Sequence, residues 1–229
     1  MKILFSHIPK CGGTSVWKWF ADCCGSSASV FWSRVPGDPL GGFDLQDFNA
    51  FRVIGGHFGI NNQSARQFES VSGESFFRAV FLRDPFARLV SFYRYCRERG
   101  FHELHLVESF GDAVENGNIC RTQTANACKR FDALTFPAAQ ESMKEFGPII
   151  VGAIESPDAM LTRLAEIIGN PAPELHRINR SIIIEGMPGE ETNAELERFR
   201  EHPLIIEALR EDQQLHDWLM QESGGVFEI

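Results

Sequence analysis

The sequence contains no long apolar run. No stretch approaches the roughly eighteen consecutive apolar residues that a membrane-spanning helix needs. The first five residues are also too few to form the apolar core of a signal peptide. We therefore expect a cytoplasmic protein that does not interact with a membrane.

Clustered cysteines and an excess of basic residues are missing as well. The six cysteines include no C-x-x-C pair and no dense framework of the kind found in small secreted domains, which indicates reduced thiols. Pairing of Cys120 with Cys128 stays open. The 22 lysines and arginines are outnumbered by 31 acidic residues, and the resulting net charge of −9 argues against nucleic acid as a partner.

What the chain does have is the composition of an ordinary globular protein. Of its 229 residues, 43% are hydrophobic. A chain of this length can form one large hydrophobic core but is too short for two domains of ordinary size. Internal repeats and low-complexity tracts are absent from the sequence. We therefore predict a single domain over residues 1–229, with no indication of its oligomeric state.

Predicted strands alternate with predicted helices along the chain. Apolar segments with the character of buried strands lie at 2–6, 51–56, 76–82 and 149–154. Helical periodicity or helix start signals occur at 13–23, 61–69, 84–93, 103–114, 138–146, 157–168, 192–195 and 203–220. The alternation predicts an α/β protein with a central parallel sheet and helices on both faces.

Residues 25–49 form the longest segment without a predicted helix or strand. They are rich in glycine, serine and proline, yet they also carry aromatic side chains. A loop of this length in a compact domain is usually functional. We expect it to cover a binding site at the carboxyl ends of the strands, where ligands of parallel sheets bind.

The segment after the first predicted strand has the features of a phosphate-binding loop. It reads Pro9-Lys10-Cys11-Gly12-Gly13-Thr14-Ser15. Two glycines allow the backbone to approach a ligand, and two hydroxyls stand in the first turn of a helix. The segment is not a Walker A loop, because its lysine precedes the glycines. Taken alone, the segment is better explained as a plain tight turn.

A second candidate phosphate contact comes from a different strand. Arg83 follows the strand at 76–82, and Ser91 lies about two turns into the next helix. This spacing lets a guanidinium and a hydroxyl approach one phosphate. The simpler alternative is an arginine paired with a carboxylate and an exposed serine, in a segment, 78–99, that holds six arginines and two acidic residues.

Together these segments resemble the sulfotransferases that use 3'-phosphoadenosine 5'-phosphosulfate (PAPS). The resemblance rests on HIPKCGGTS at 7–15 and LRDPFARLVSFY at 82–93, with weaker matches at 118–124, 151–155, 177–179 and 212–215. It is greatest toward the carbohydrate sulfotransferases, which include the heparan sulfate 2-O- and 6-O-sulfotransferases. The resemblance implies a P-loop-like three-layer fold.

The resemblance also implies a role for each matched residue. The residues that would hold the 5'-phosphosulfate of PAPS are Lys10, Cys11, Gly12, Gly13, Thr14 and Ser15. Arg83 and Ser91 would hold the 3'-phosphate. Lys10 would also neutralise the bridging oxygen as the sulfuryl group leaves. PAPS is then a co-substrate, and no metal is required.

His57 matches the position at which the 2-O-sulfotransferase-like branch carries its catalytic base. An imidazole titrates near neutral pH and could take the proton of an acceptor hydroxyl. A structural histidine at a strand end is the alternative. His102 and His105 lack the spacing of a metal-binding pair, and His216 stands where relatives often have tyrosine.

The predicted reaction is in-line transfer of a sulfuryl group from PAPS to an acceptor hydroxyl. The net charge of −9 favours a neutral sugar, a small metabolite or a peptide over a polyanionic acceptor. The loop at 25–49 is the candidate segment for shaping the acceptor pocket. The alternatives are a catalytically inactive module that binds PAPS or its product, and a P-loop small-molecule kinase.

Overall fold

The computed structural model describes residues 1–25, 29–32, 51–57, 69–70, 73–100, 107–116, 118–145, 147–175 and 191–229. Six strands within these ranges form one sheet. They are β1 (Lys2–Ser6), β2 (Ser29–Trp32), β3 (Val53–Gly56), β4 (Phe76–Leu82), β5 (Ile149–Ala153) and β6 (Val226–Glu228).

The strands lie side by side in the order β2-β3-β1-β4-β5-β6. The first five run parallel, and β6 runs antiparallel to β5 at one edge. Every residue of β4 is buried, as expected for a central strand of a parallel sheet that is covered on both faces. The predicted α/β class is confirmed.

Helices connect the strands and cover the sheet. They are α1 (Gly13–Cys24), α2 (Pro85–Arg99), α3 (Phe110–Glu115), α4 (Asn118–Gln123), α5 (Phe136–Glu145), α6 (Asp158–Ile168), α7 (Asn193–Glu197) and α8 (Pro203–Glu222), and a 3₁₀ helix spans Cys128–Phe131. The Thr192 capping box that the sequence predicts is present at the start of α7.

Alternate residues of β4 belong to two separate cores, one on each face of the sheet. Phe77 and Phe81 pack with apolar residues of α1 and α6. Val80 and Leu82 pack with residues of α5, α8 and the 3₁₀ helix. This two-residue alternation, the period of an extended chain, produces the predicted arrangement of helices on both faces.

Helix α2, which follows the central strand, begins and ends at well-defined caps. The carboxylate of Asp84 accepts a 2.7 Å hydrogen bond from the amide of Ala87, and Pro85 occupies the first turn. A cap of this kind stabilises a helix by about 1 kcal/mol. At the other end, Gly100 (φ +67°) donates to the carbonyl of Cys96. The bounds of α2, and with them the position of Ser91 within the helix, are therefore set by local sequence.

Several segments differ from the prediction. The stretch 25–49, predicted to be a loop, contains the edge strand β2, whose backbone pairs with β3. Residues 26–28 and 33–49 lie outside the described ranges. Residues 103–106 of the helix predicted at 103–114 lie outside the described ranges, and α3 begins at Phe110, because Ser109 and Asp112 form a reciprocal capping box there. Residues 61–68 of another predicted helix also lie outside the described part.

The six cysteines all lie in the described part of the chain and carry free thiols, including Cys120 and Cys128. Burial raises the pKa of each thiol, so all six are protonated at neutral pH. Among the described helices, none is both long and apolar enough to cross a membrane.

Candidate functional site

Three loops at the carboxyl edge of the sheet form the candidate site. His7 follows β1, His57 follows β3 and Arg83 follows β4. These three strands are direct neighbours, and Ser6 at the end of β1 is in register with Gly56 at the end of β3. Because parallel strands end at the same edge, the structure brings these three positions together.

The loop between β1 and α1 contains two residues with left-handed backbone conformation. These are Lys10 (φ +71°) and Gly12 (φ +70°), and the conformation is uncommon for a lysine because its Cβ is crowded. The amide of Cys11 donates a 3.1 Å hydrogen bond to the carbonyl of Ile8 and closes the turn. Because α1 begins directly after this turn, the positive end of its dipole is directed at the loop, which favours an anion there.

Packing inside the protein requires both glycines of this loop. A Cβ atom on Gly13 would lie 1.8 Å from Nε2 of His7, and one on Gly12 would lie 2.8 Å from Cγ1 of Ile154. The sequence-based reason for the glycines was close approach to a ligand. The structure adds a different reason, since the glycines make room for the His7 ring and for the residue that follows β5.

The remaining loop residues differ in their access to solvent. Cys11 is buried in the same core cluster as Val80, and burial raises the pKa of its thiol to about 12. Only the backbone of Cys11 is therefore positioned to meet a ligand. Thr14 is exposed and Ser15 is half-buried in the first turn of α1, so both hydroxyls stand at the loop surface.

The Lys10 side chain lies against α2. Its Nζ is 4.3 Å from the centroid of the Tyr95 ring, a cation–π contact. Burial lowers the pKa of Lys10, the nearby Glu98 raises it, and Arg83 lowers it again. The sequence did not predict a role for Tyr95, although Tyr95 lies one helical turn after Ser91 on the same side of the helix.

Arg83 connects this loop to a cavity along α2. Its Nη1 donates a 3.0 Å hydrogen bond to the main-chain carbonyl of Lys10. Arg83 and Ser91 line the same cavity of about 180 Å³, together with Arg94 and residues of α7. This volume holds about six water molecules, which is room for a phosphate group. The predicted pair therefore shares one cavity, and that cavity adjoins the Lys10 loop.

His57 is held by the backbone and the ring of His7. Its Nδ1 lies 3.0 Å from the carbonyl oxygen of His7, and the two rings stack with centroids 4.5 Å apart. Because a carbonyl only accepts, we assign the proton of His57 to Nδ1 and the lone pair to Nε2. Burial lowers the pKa of His57, the hydrogen bond to His7 raises it, and Arg130 lowers it. The imidazole is therefore neutral at pH 7.

Arg130 is a further cation beside the two histidines. Burial lowers the pKa of His7 to about 3, with contributions from His57 and Arg130. Arg130 lies in the 3₁₀ helix, far along the chain from both histidines and within no recognisable motif. Only the tertiary structure brings it to the site.

Glu155 joins the end of β5 to the start of α2. Its carboxylate accepts a 2.8 Å hydrogen bond from the amide of Asp84 and lies 3.5 Å from Nε2 of His216. Burial acts to raise the pKa of Glu155, but the nearby His216 and the hydrogen bond from Asp84 outweigh it, and the pKa is lowered. His216 thus supports the site edge through Glu155.

Some residues singled out from the sequence lie outside the described ranges. They include 177–179, His102 and His105. No group of three or more His, Cys, Asp or Glu side chains in the described ranges is arranged to hold a metal ion. The six arginines of 78–99 do not form a uniform patch, because Arg78 and Arg88 are buried in the interior.

The site combines a helix-terminal loop that carries a lysine with a neutral histidine at the end of one neighbouring strand and a cavity lined by an arginine and a serine at the end of the other, an arrangement suited to an anionic ligand. The model of the Sulfotransferase family matches residues 1–147, which include all of these residues. The chain belongs to the Sulfotransferase family. A search of curated proteins finds no match. Family membership favours sulfuryl transfer over the phosphoryl transfer of a kinase.

Proposed function

We propose that this protein transfers a sulfuryl group from PAPS to the hydroxyl of an acceptor. One observation carries the proposal. Arg83 donates a hydrogen bond to the Lys10 carbonyl and lines a cavity with Ser91. A nucleotide with two separate anionic ends can therefore be held by one continuous surface, with one end at the loop and the other in the cavity.

The loop is the proposed site for the 5'-phosphosulfate of the donor. The loop backbone, the hydroxyls of Thr14 and Ser15, and the dipole of α1 supply donors for the sulfate and phosphate oxygens. Lys10 supplies the positive charge. Lys10 Nζ would leave the Tyr95 ring to reach the bridging oxygen and neutralise it as the sulfur–oxygen bond breaks.

The cavity along α2 is the proposed site for the 3'-phosphate. Arg83 offers a guanidinium and Ser91 a hydroxyl, which suit a tetrahedral dianion. This contact would separate PAPS from adenine nucleotides that lack a 3'-phosphate. A PAPS donor is therefore supported by a cavity that a 5'-nucleotide alone would leave unused.

His57 is the proposed general base. With its proton on Nδ1, it offers the lone pair of Nε2 to the acceptor hydroxyl. As the acceptor oxygen bonds to sulfur, Nε2 takes the hydroxyl proton and adenosine 3',5'-bisphosphate leaves on the opposite side of the sulfur. The lowered pKa of His57 keeps this base unprotonated at neutral pH.

The proposed acceptor is a sugar or another small hydroxyl compound. The sequence resemblance points to the carbohydrate branch, whereas the net charge of −9 disfavours an acceptor as anionic as heparan sulfate. Segment 25–49 is the proposed acceptor-side element, and deletion of its residues 33–49, which leaves β2 in place, should alter acceptor choice more than donor affinity. Action in the cytoplasm would give the enzyme access to such small metabolites.

Isothermal titration of the protein with adenosine 3',5'-bisphosphate and with the 5'-monophosphate tests the donor class. We expect much tighter binding of the bisphosphate. Arg83→Ala should weaken that binding by about 1.5–3 kcal/mol, through loss of a charge-assisted hydrogen bond. Arg163→Ala, which removes the same charge from an exposed position, is the matched control. Equal affinities for the two nucleotides would contradict the proposal.

Turnover distinguishes the enzyme from an inactive binding module. With PAPS and a panel of sugar and small-molecule hydroxyl acceptors, the wild-type protein should release the bisphosphate. Lys10→Ala and His57→Ala should each lose most of that activity. Tight bisphosphate binding without transfer to any acceptor would instead favour the binding module.

A further inference from the structure

The cavity that holds Arg83 and Ser91 has an acidic residue in its wall. Its lining includes two guanidinium groups, those of Arg83 and Arg94, and one carboxylate, that of Glu197 on α7. A phosphate dianion placed in this cavity would be repelled by Glu197. The site therefore needs a feature that offsets this carboxylate.

Arg200, which lies just beyond α7, is placed to do so. Its Nε donates to the carboxylate of Glu197. Its Nη1 lies 3.1 Å from Oδ2 of Asp84, the residue that caps α2. One guanidinium thus holds two carboxylates, one in the cavity wall and one beside Arg83.

The position of Arg200 is set by a third contact. Its guanidinium carbon lies 4.6 Å from the centroid of the Phe86 ring, and Phe86 is itself part of the cavity wall. Stacking on an aromatic ring suits the planar guanidinium. Arg200 therefore joins α7 to the start of α2 on the outer side of the cavity.

The charges around the cavity depend on this arginine. Counting the wall together with Arg200 and Asp84, three guanidinium groups face two carboxylates. Without Arg200 the positive and negative charges would balance. A 3'-phosphate carries nearly two negative charges at neutral pH, so its binding would respond to this difference.

We propose that Arg200 is a positioning residue that sets the affinity of the Arg83–Ser91 cavity for a phosphate dianion by neutralising Glu197 and Asp84. The inference rests on the proposed function, in which this cavity takes the 3'-phosphate of the donor. Arg200 does not touch the phosphate in this proposal. It determines the charge that the phosphate meets and the position of the α7 wall.

The variants needed for a test should fold. The side chains of Arg200 and Glu197 are 36% and 56% exposed, and ion pairs of such exposure contribute little to folding stability. Thermal melting of each variant checks this directly. The comparison then requires Arg200→Ala, Arg200→Lys, Glu197→Gln and the double variant Arg200→Ala/Glu197→Gln.

The measurement is isothermal titration of each variant with adenosine 3',5'-bisphosphate and with the 5'-monophosphate. Arg200→Ala should weaken bisphosphate binding by roughly five- to tenfold and leave monophosphate binding within about twofold. Arg200→Lys should recover much of the loss, because it restores the charge. In the Glu197→Gln background, the same Arg200→Ala change should weaken bisphosphate binding only about twofold, because one of the two carboxylates that Arg200 neutralises is already absent.

The outcomes separate the two proposals. Equal losses for both nucleotides in Arg200→Ala would overturn the inference, since they would indicate a general structural effect. An unchanged bisphosphate affinity, or an equal loss in the Glu197→Gln background, would also overturn it. If the wild-type protein fails to prefer the bisphosphate, the proposed donor class is wrong, and the role of Arg200 fails with it.

Discussion

Replacement of Gly13 by alanine tests the packing of the phosphate loop through the sign of a stability change. Gly13 is the first residue of α1 and has no positive φ. At such a position alanine is normally better than glycine, by roughly 0.5–1 kcal/mol, because glycine loses more backbone entropy on folding. Local helix preference alone therefore predicts that Gly13→Ala stabilises the protein.

The tertiary structure predicts the opposite sign. The new Cβ would lie 1.8, 2.1 and 2.2 Å from three atoms of the His7 ring. That ring stacks with the rings of both Phe5 and His57, so a shift of the ring disturbs these contacts. Overpacking of this kind costs about 1–3 kcal/mol. We expect Gly13→Ala to lower the free energy of unfolding by about 1–2 kcal/mol.

Urea unfolding followed by tryptophan fluorescence measures this change by linear extrapolation. The matched experiment introduces Gly13→Ala into a His7→Ala protein, in which the obstructing ring is absent. There the same substitution should be neutral or stabilising, and the coupling between the two sites should reach about 1–3 kcal/mol. If Gly13→Ala raises the stability of the wild-type protein, His7 does not occupy the space above Gly13. The same conclusion follows if the effects of Gly13→Ala and His7→Ala on stability are strictly additive.

Two further predictions concern buried charge and pH. Arg88 is 2% exposed, and its Nη2 lies 3.9 Å from the carboxylate of Asp212. Arg88→Met should lower the free energy of unfolding in urea by about 3–5 kcal/mol, because it leaves a buried carboxylate without its cation. Arg121→Met, at an exposed position, is the control and should change this free energy by less than about 0.5 kcal/mol. If His57 is the base, activity should fall as pH drops through the pKa of His57, which lies below its ordinary 6.5. Arg130→Met removes a cation that lowers this pKa, so the acid limb of the pH–rate profile should move to higher pH; an unmoved limb would show that another group titrates.

Much of the fold could be predicted from the sequence, because local patterns specify it. The run of apolar residues at 76–82 identified β4 at its observed bounds, and the Asp84-Pro85 pair identified the start of α2. The alternation of strands and helices then determined the α/β class. Strand β2 and the three-residue strand β6 were not predicted, because short edge strands have few neighbours and therefore weak patterns.

The candidate site was predictable only in part. The Lys10 loop, His57 and Arg83 follow strands, and a parallel sheet brings strand ends together whatever lies between them. The cavity shared by Arg83 and Ser91 likewise follows from the spacing along one strand and one helix. In each of these cases, residues distant in sequence are related by a repeating geometry that a pattern reveals.

Which side chains meet across elements was decided by the tertiary structure. Arg88 became a buried partner of Asp212, Arg130 came to lie beside the two histidines, and Arg200 came to pair with Asp84. Strand and helix periods state which way a residue faces within its own element. They do not predict which residue of another element lies opposite it. That depends on how whole helices pack over the sheet, and only the folded chain has this packing.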